Sequence, residues 1–123
     1  MVREILVSNK KVFIIDYSNQ KEAEMIADVL DLKERIIKQS SPALIMTIFN
    51  DKSYATPKFM RTVEQTTREV ERLLGKQAIV GLNQPKKLIL KGYNLLFRKS
   101  IRDFDSQEEA MRFLLDDLST NNP

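Results

Sequence analysis

The chain has no cysteine, no histidine and no tryptophan. Without cysteine there is no disulfide, thiol nucleophile or thiolate metal ligand, and without histidine there is no imidazole base and no histidine-ligated metal centre. Catalytic chemistry would have to come from carboxylates, lysines, tyrosines, hydroxyls or backbone amides. Glycine and proline are scarce, at 3 and 4 residues, which excludes collagen-like and Pro/Gly-rich low-complexity sequence. Gly75, Gly81 and Gly92 stand too far apart to form a G-x-G-x-x-G or Walker loop, and no G-x-S-x-G occurs, so nucleotide binding has no motif behind it. No apolar run approaches the roughly 20 residues that span a bilayer. The opening Met-Val-Arg-Glu lacks the apolar core of a signal peptide. These absences point to a soluble protein, expected in the cytoplasm, with no cofactor required by any motif.

What is present is an ordinary globular composition: 123 residues, 42% hydrophobic and 30% charged. One domain over residues 1–118 is expected, with 119–123 as a flexible tail. The net charge of +3 is too small to argue for specific nucleic-acid binding. Its distribution is more informative. From Pro85 to Arg102 there are six basic residues, Lys86, Lys87, Lys91, Arg98, Lys99 and Arg102, and no acid, whereas Asp103 to Asp117 carries six acids and one base.

The apolar runs Ile5–Val7 and Val12–Ile15 flank the polar Ser8-Asn9-Lys10-Lys11 and predict an antiparallel hairpin. Asn19 and Glu22 resemble a capping box, and Ala23, Ile26, Ala27, Leu30, Ile36 and Ile37 recur at helical spacing toward Ser40. Ala43 to Phe49 is almost continuously apolar, the pattern of a central strand covered on both faces. Thr56-Pro57 predicts a helix start; Phe59, Met60, Val63, Val70, Leu73 and Leu74 mark its buried side and Gly75 its left-handed end. A buried strand at Ala78–Leu82, a helix opened by Pro85, a short edge strand within Ser100–Phe104 and a helix capped by Ser106 and Glu109 complete the chain, with Leu118 the last apolar position of that helix. The order ββαβαβα(β)α predicts an α/β fold with an open, mixed but mostly parallel sheet of roughly four or five strands and amphipathic helices mainly on one face, the first strand antiparallel near an edge.

In such sheets ligands bind outside the carboxyl ends of the strands. That rim comprises Asp16, Tyr17 and Ser18, then Asn50, Asp51, Ser53, Tyr54 and Thr56, then the start of the Pro85 helix. Tyr17 and Tyr54 are the expected binding anchors, because tyrosine offers a large apolar area and a hydroxyl at low entropic cost. Asp16 and Asp51 suit a magnesium-dependent phosphoacceptor or small enzyme, with Lys86 as phosphate partner. The alternative is that each acid only caps its own loop. Ser53 and Thr56 are the candidate phosphoacceptors, beside the simpler readings of a loop residue and a helix cap. Lys86, Lys87 and Lys91 lie on a basic amphipathic segment suited to an anionic surface, or equally to packing on the sheet with its lysines in water.

The strand ending Val12-Phe13-Ile14-Ile15-Asp16-Tyr17-Ser18, the strands Ala43–Phe49 and Ala78–Gly81, and the turn Phe104-Asp105-Ser106-Gln107-Glu108-Glu109-Ala110 together resemble the STAS superfamily of bacterial anti-sigma-factor antagonists, in its small SpoIIAA-like branch. The resemblance spans almost the whole chain. It implies a non-enzymatic signalling or regulatory module that binds a signalling protein or a small ligand. In the antagonists an Asp-Ser-Ser-Gly-like loop carries a phosphorylated serine; here the region reads Asn50-Asp51-Lys52-Ser53-Tyr54-Ala55-Thr56-Pro57 and lacks the Ser-Gly pair. Resemblance to the related lipid-transfer architecture leaves a carrier of an apolar or anionic ligand as an alternative, and a homodimer stays open.

Overall fold

A computed structural model describes residues 1–116; the expected tail at 119–123 and the helical position of Leu118 lie outside them. The elements are β1 (Val2–Val7), β2 (Lys10–Asp16), α1 (Glu22–Ile37), β3 (Ala43–Ile48), α2 (Pro57–Val70), β4 (Leu74–Val80), α3 (Gln84–Phe97), β5 (Arg102–Phe104) and α4 (Gln107–Leu115), with a 3-10 turn at Glu71–Leu73. The sheet order is β1-β2-β3-β4-β5. β1 pairs antiparallel to β2 and every other pair is parallel, so the mixed, mostly parallel α/β sheet read from the sequence is present, with the antiparallel strand at an edge.

Alternation along β2 and β3 divides the core into two layers. Phe13 and Ile15 of β2 and Ala43 and Ile45 of β3 face Met25, Val29 and Ile36 of α1 and Phe59 and Val70 of α2. Val12, Ile14, Met46 and Ile48 face the other way with Ala78 and Val80, and pack against Ala110 and Leu114 of α4. α3 lies over Thr47, Gln77 and Ile79, residues of opposite parity to Met46 and Ala78, so it shares the face of α1 and α2. Three helices thus cover one face and α4 the other.

Several local signals act as expected. Thr56 Oγ1 accepts from Phe59 N–H at 3.2 Å, with Pro57 in the first turn, and Ser106 Oγ accepts from Glu109 N–H at 3.2 Å. The α3 cap, not marked in the sequence beyond Pro85, is Asn83, whose Oδ1 accepts from Lys86 N–H at 3.1 Å.

Other expectations are corrected. The cap of α1 is Lys21, whose backbone N–H donates to Glu24 Oε1 at 3.1 Å; Asn19 instead takes a left-handed conformation, φ 61°, in the turn before it. α1 ends at Ile37 and not near Ser40. Gly75 does not terminate α2: that helix ends at Val70 and passes through the 3-10 turn directly into β4, where Gly75 is a strand residue whose missing side chain leaves room for the Ala43 carbonyl. Leu73 and Leu74 therefore belong to the turn and to β4. Gly81 lies beyond β4 with φ 87°. A Cβ there would sit 2.0 Å from the Phe49 carbonyl oxygen, so only glycine lets the chain leave β4 alongside the end of β3.

Candidate functional site: a cleft bridged by the third helix

α3 covers the sheet differently from α1 and α2. Of its residues only Lys86 is buried, while Leu88, Leu95 and Leu96 are exposed. A helix with so little apolar area removed from water gains little from packing. It is held mainly at its ends. At the N-terminal end Asn83 caps the helix and Lys86 Nζ donates to the Asn50 carbonyl at 2.9 Å. At the other end Lys99 Nζ lies 2.5 Å from Glu71 Oε1, and this lysine holds the Glu71 carboxyl below its ordinary pKa. The Arg68 guanidinium lies 5.9 Å from the Phe97 ring centroid, and the Asn94 side chain exchanges two hydrogen bonds with the backbone of Ile101.

Between these fastenings α3 bridges a cavity of about 120 Å³. Phe59 and Val63 of α2 form one wall, Ile89, Leu90 and Tyr93 of α3 the opposite one, and Ile79 part of the floor. Tyr17, Phe49 and Phe59 make an aromatic cluster at one end, with ring centroids 5.1 to 6.5 Å apart. Polar groups are few: Thr47, Thr67 and Gln77, with Lys86 close to the aromatic end, its Nζ 5.9 Å from the Phe49 ring centroid. Such a concave apolar cleft with a few placed polar groups is the common form of a small-molecule site.

The rim residues are brought together by Asn50. Its Oδ1 accepts from the N–H groups of Asn19 and Lys52, both at 3.1 Å, its Nδ2 donates to Asn19 Oδ1 at 3.0 Å, and its carbonyl accepts from Lys86. Ser53 is wholly buried beneath this knot, donating to the Asn50 carbonyl at 3.0 Å and accepting from Asn50 N–H at 3.1 Å. The expectation of Ser53 as a phosphoacceptor is therefore corrected: its hydroxyl is out of reach of solvent and engaged as both donor and acceptor. Thr56 is engaged as helix cap and as donor to the Glu22 carboxylate. Asp16 Oδ1 accepts from Ser18 N–H at 2.9 Å and Asp51 Oδ1 faces Asn83 Nδ2 at 3.4 Å, so each acid is held in its own local contact. Among the described residues no group of three or more Asp or Glu side chains could hold a metal ion.

The two tyrosines separate. Tyr54 is 68% exposed on the rim, whereas Tyr17 is buried in the aromatic cluster and is a cavity wall, not a surface anchor. Burial, and then the nearby Asp28 charge, push the Tyr17 hydroxyl pKa well above its ordinary value. The lysines separate as well. Lys86 is 8% exposed and turned into the cleft, so it cannot contact an anionic surface as expected; Lys91 is exposed and Lys87 pairs with Asp103 at 3.6 Å. The sequence marks Lys86 as a phosphate partner or surface lysine, but the basic run does not single it out as the lysine that lines the cleft with Ile89, Leu90 and Tyr93. The signal was there: Lys86, Ile89, Leu90, Tyr93 and Phe97 share one helical stripe. Among the described residues no helix is long and apolar enough to cross a membrane. Compared with known proteins, the chain matches no family model, no curated protein and no solved structure.

Proposed function

We propose that this chain is a cytoplasmic, non-enzymatic binding module whose ligand site is the cleft beneath α3, and that the ligand is a small molecule with an apolar body. The observation that carries the reading is α3 itself: a helix fastened at both ends, burying only Lys86, over an apolar cavity. Occupying the cleft would remove from water the apolar inner faces of α2, α3 and β4 that line it. An engineered apolar cavity of about 150 Å³ in another protein binds benzene, so a single ring or a short branched chain is the scale of ligand that fits. The STAS-like regulatory assignment remains part of this proposal, supported by the element order and the antiparallel edge strand. In that setting the exposed Tyr54 on the rim is the residue that would meet a signalling protein.

The test is amide NMR of the labelled protein titrated with benzene and with indole. Shifts should concentrate on residues lining the cleft, Phe59, Val63, Ile79 and Tyr93 among them, and should be suppressed in Val63→Phe, which narrows the cavity from α2. Shifts scattered over the surface, or unaffected by Val63→Phe, would reject the cleft as the site.

A further inference from the structure

The ligand class can be narrowed by Lys86, the one cation lining the cleft among the described residues, an inference that rests on the cleft being the binding site. Lys86 is 8% exposed, and burying an ammonium is costly unless it is paired. Among the described residues it has no carboxylate within salt-bridge distance, and its hydrogen-bond partner is a single backbone carbonyl, that of Asn50, at 2.9 Å. An ammonium has three donors, so two remain for a ligand. The amine adjoins an apolar cavity wide enough for one ring or a short chain. The first turn of α3, in which Lys86 sits, carries no acid, so the positive end of the helix dipole adds to the lysine charge. The acidic rim residue Asp51 is directed to Asn83.

We infer that the cleft binds a small monocarboxylate: an apolar body between α2 and α3, its carboxylate accepting from Lys86 Nζ. One lysine with two free donors matches a single negative charge. A phosphate dianion would call for a second cation, and among the described residues that line the cleft Lys86 is the only cationic one. Lys86 then has two roles in one place: its bond to Asn50 fastens α3 to the rim, and its remaining donors select charge. The Asn50 knot holds the loop 50–53 in place, so occupancy of the cleft is coupled to the rim on which Tyr54 is displayed.

Calorimetry with phenylacetate and its neutral near-isostere phenylacetamide tests this. The parent should bind phenylacetate at least about tenfold more tightly, the scale of one charge-assisted hydrogen bond. Lys86→Met keeps the length of the side chain and should bring the two probes within about twofold of each other, whereas Lys87→Met, outside the cleft, should keep the parental preference. Because the readout is a ratio between two probes, a general weakening from the lost Asn50 contact does not affect it, and the preference measured on the parent alone needs no variant to fold. If the parent binds both probes equally, and Val63→Phe abolishes both, the cleft is a site and the carboxylate inference is wrong. Preference retained in Lys86→Met would also overturn it. If neither probe binds the parent, both the inference and the reading beneath it fall.

Discussion

The three glycines allow one chemical change, Gly→Ala, to be made in three environments, with loss predicted at two of them and gain at the third. At Gly81 the backbone is left-handed, φ 87°, which costs an ordinary residue about 1–2 kcal/mol. The added Cβ would also stand 2.0 Å from the Phe49 carbonyl oxygen. That oxygen belongs to backbone pinned by the Phe49 N–H bond to the Val80 carbonyl at 2.9 Å, so relief requires moving the end of β3 by roughly an ångström. Such overpacking costs about 1–3 kcal/mol more, for a total of about 2–5 kcal/mol. At Gly75 the Cβ would meet the Ala43 carbonyl at 3.0 Å and Pro42 Cβ at 3.3 Å, a tight fit in ordinary backbone, and a loss smaller than at Gly81 follows. At Gly92, in the exposed face of α3, nothing lies within 4 Å, and alanine should stabilise by about 0.5–1 kcal/mol through helix propensity alone. Urea unfolding followed by circular dichroism measures all three. With a slope of about 1–3 kcal/mol per molar urea, Gly81→Ala should lower the midpoint by about a molar or more while Gly92→Ala raises it slightly. If Gly81→Ala unfolds within about 0.5 kcal/mol of the parent, a difference no larger than an ordinary surface substitution gives, the left-handed exit from β4 is not required and the reasoning fails.

Arg98 ends α3 in a left-handed conformation, φ 54°, so Arg98→Gly should stabilise by about 1 kcal/mol and raise the melting temperature by a few degrees; an unchanged or lower melting temperature would contradict it. Thr56→Ala removes both the α2 cap and the link to Glu22 and should cost about 1–2 kcal/mol in the same urea assay, whereas Thr56→Ser should recover most of it. Tyr17 has a folded-state pKa raised by burial, so its contribution to stability is fully present below the unfolded value of about 10 and is lost as pH rises above it, by about 1.4 kcal/mol per unit. Alkaline unfolding should therefore shift to higher pH in Tyr17→Phe, and spectrophotometric titration should show Tyr17 ionising only with unfolding. Hydrogen exchange should find the amides of α3 less protected than those of α1, since α3 buries one residue and α1 buries three; equal protection would remove the picture of a loosely seated bridge.

Most of the elements were legible in the sequence because their signals act over a few residues. The near-continuous run of β3, Thr56-Pro57 opening α2, and Ser106 with Glu109 opening α4 needed only neighbours to take effect, and from their alternation followed the mixed, mostly parallel sheet with β1 antiparallel at its edge. The tertiary structure decided whatever depends on which surface meets which. Gly75 reads as a helix terminator when only its neighbours are considered, yet it became a strand residue because β4 must pass close to the Ala43 carbonyl. Ser53 and Tyr17 are polar-tipped residues in loop-like sequence, and only the convergence of β2, β3 and α2 carried one under the Asn50 knot and the other into an aromatic cluster. Lys86 is one of several lysines in a basic run until α3 is laid across the sheet; the helix phase then turns that one amine inward, away from the water that solvates Lys91, because side chains about 100° apart on a helix face different media once one side is covered.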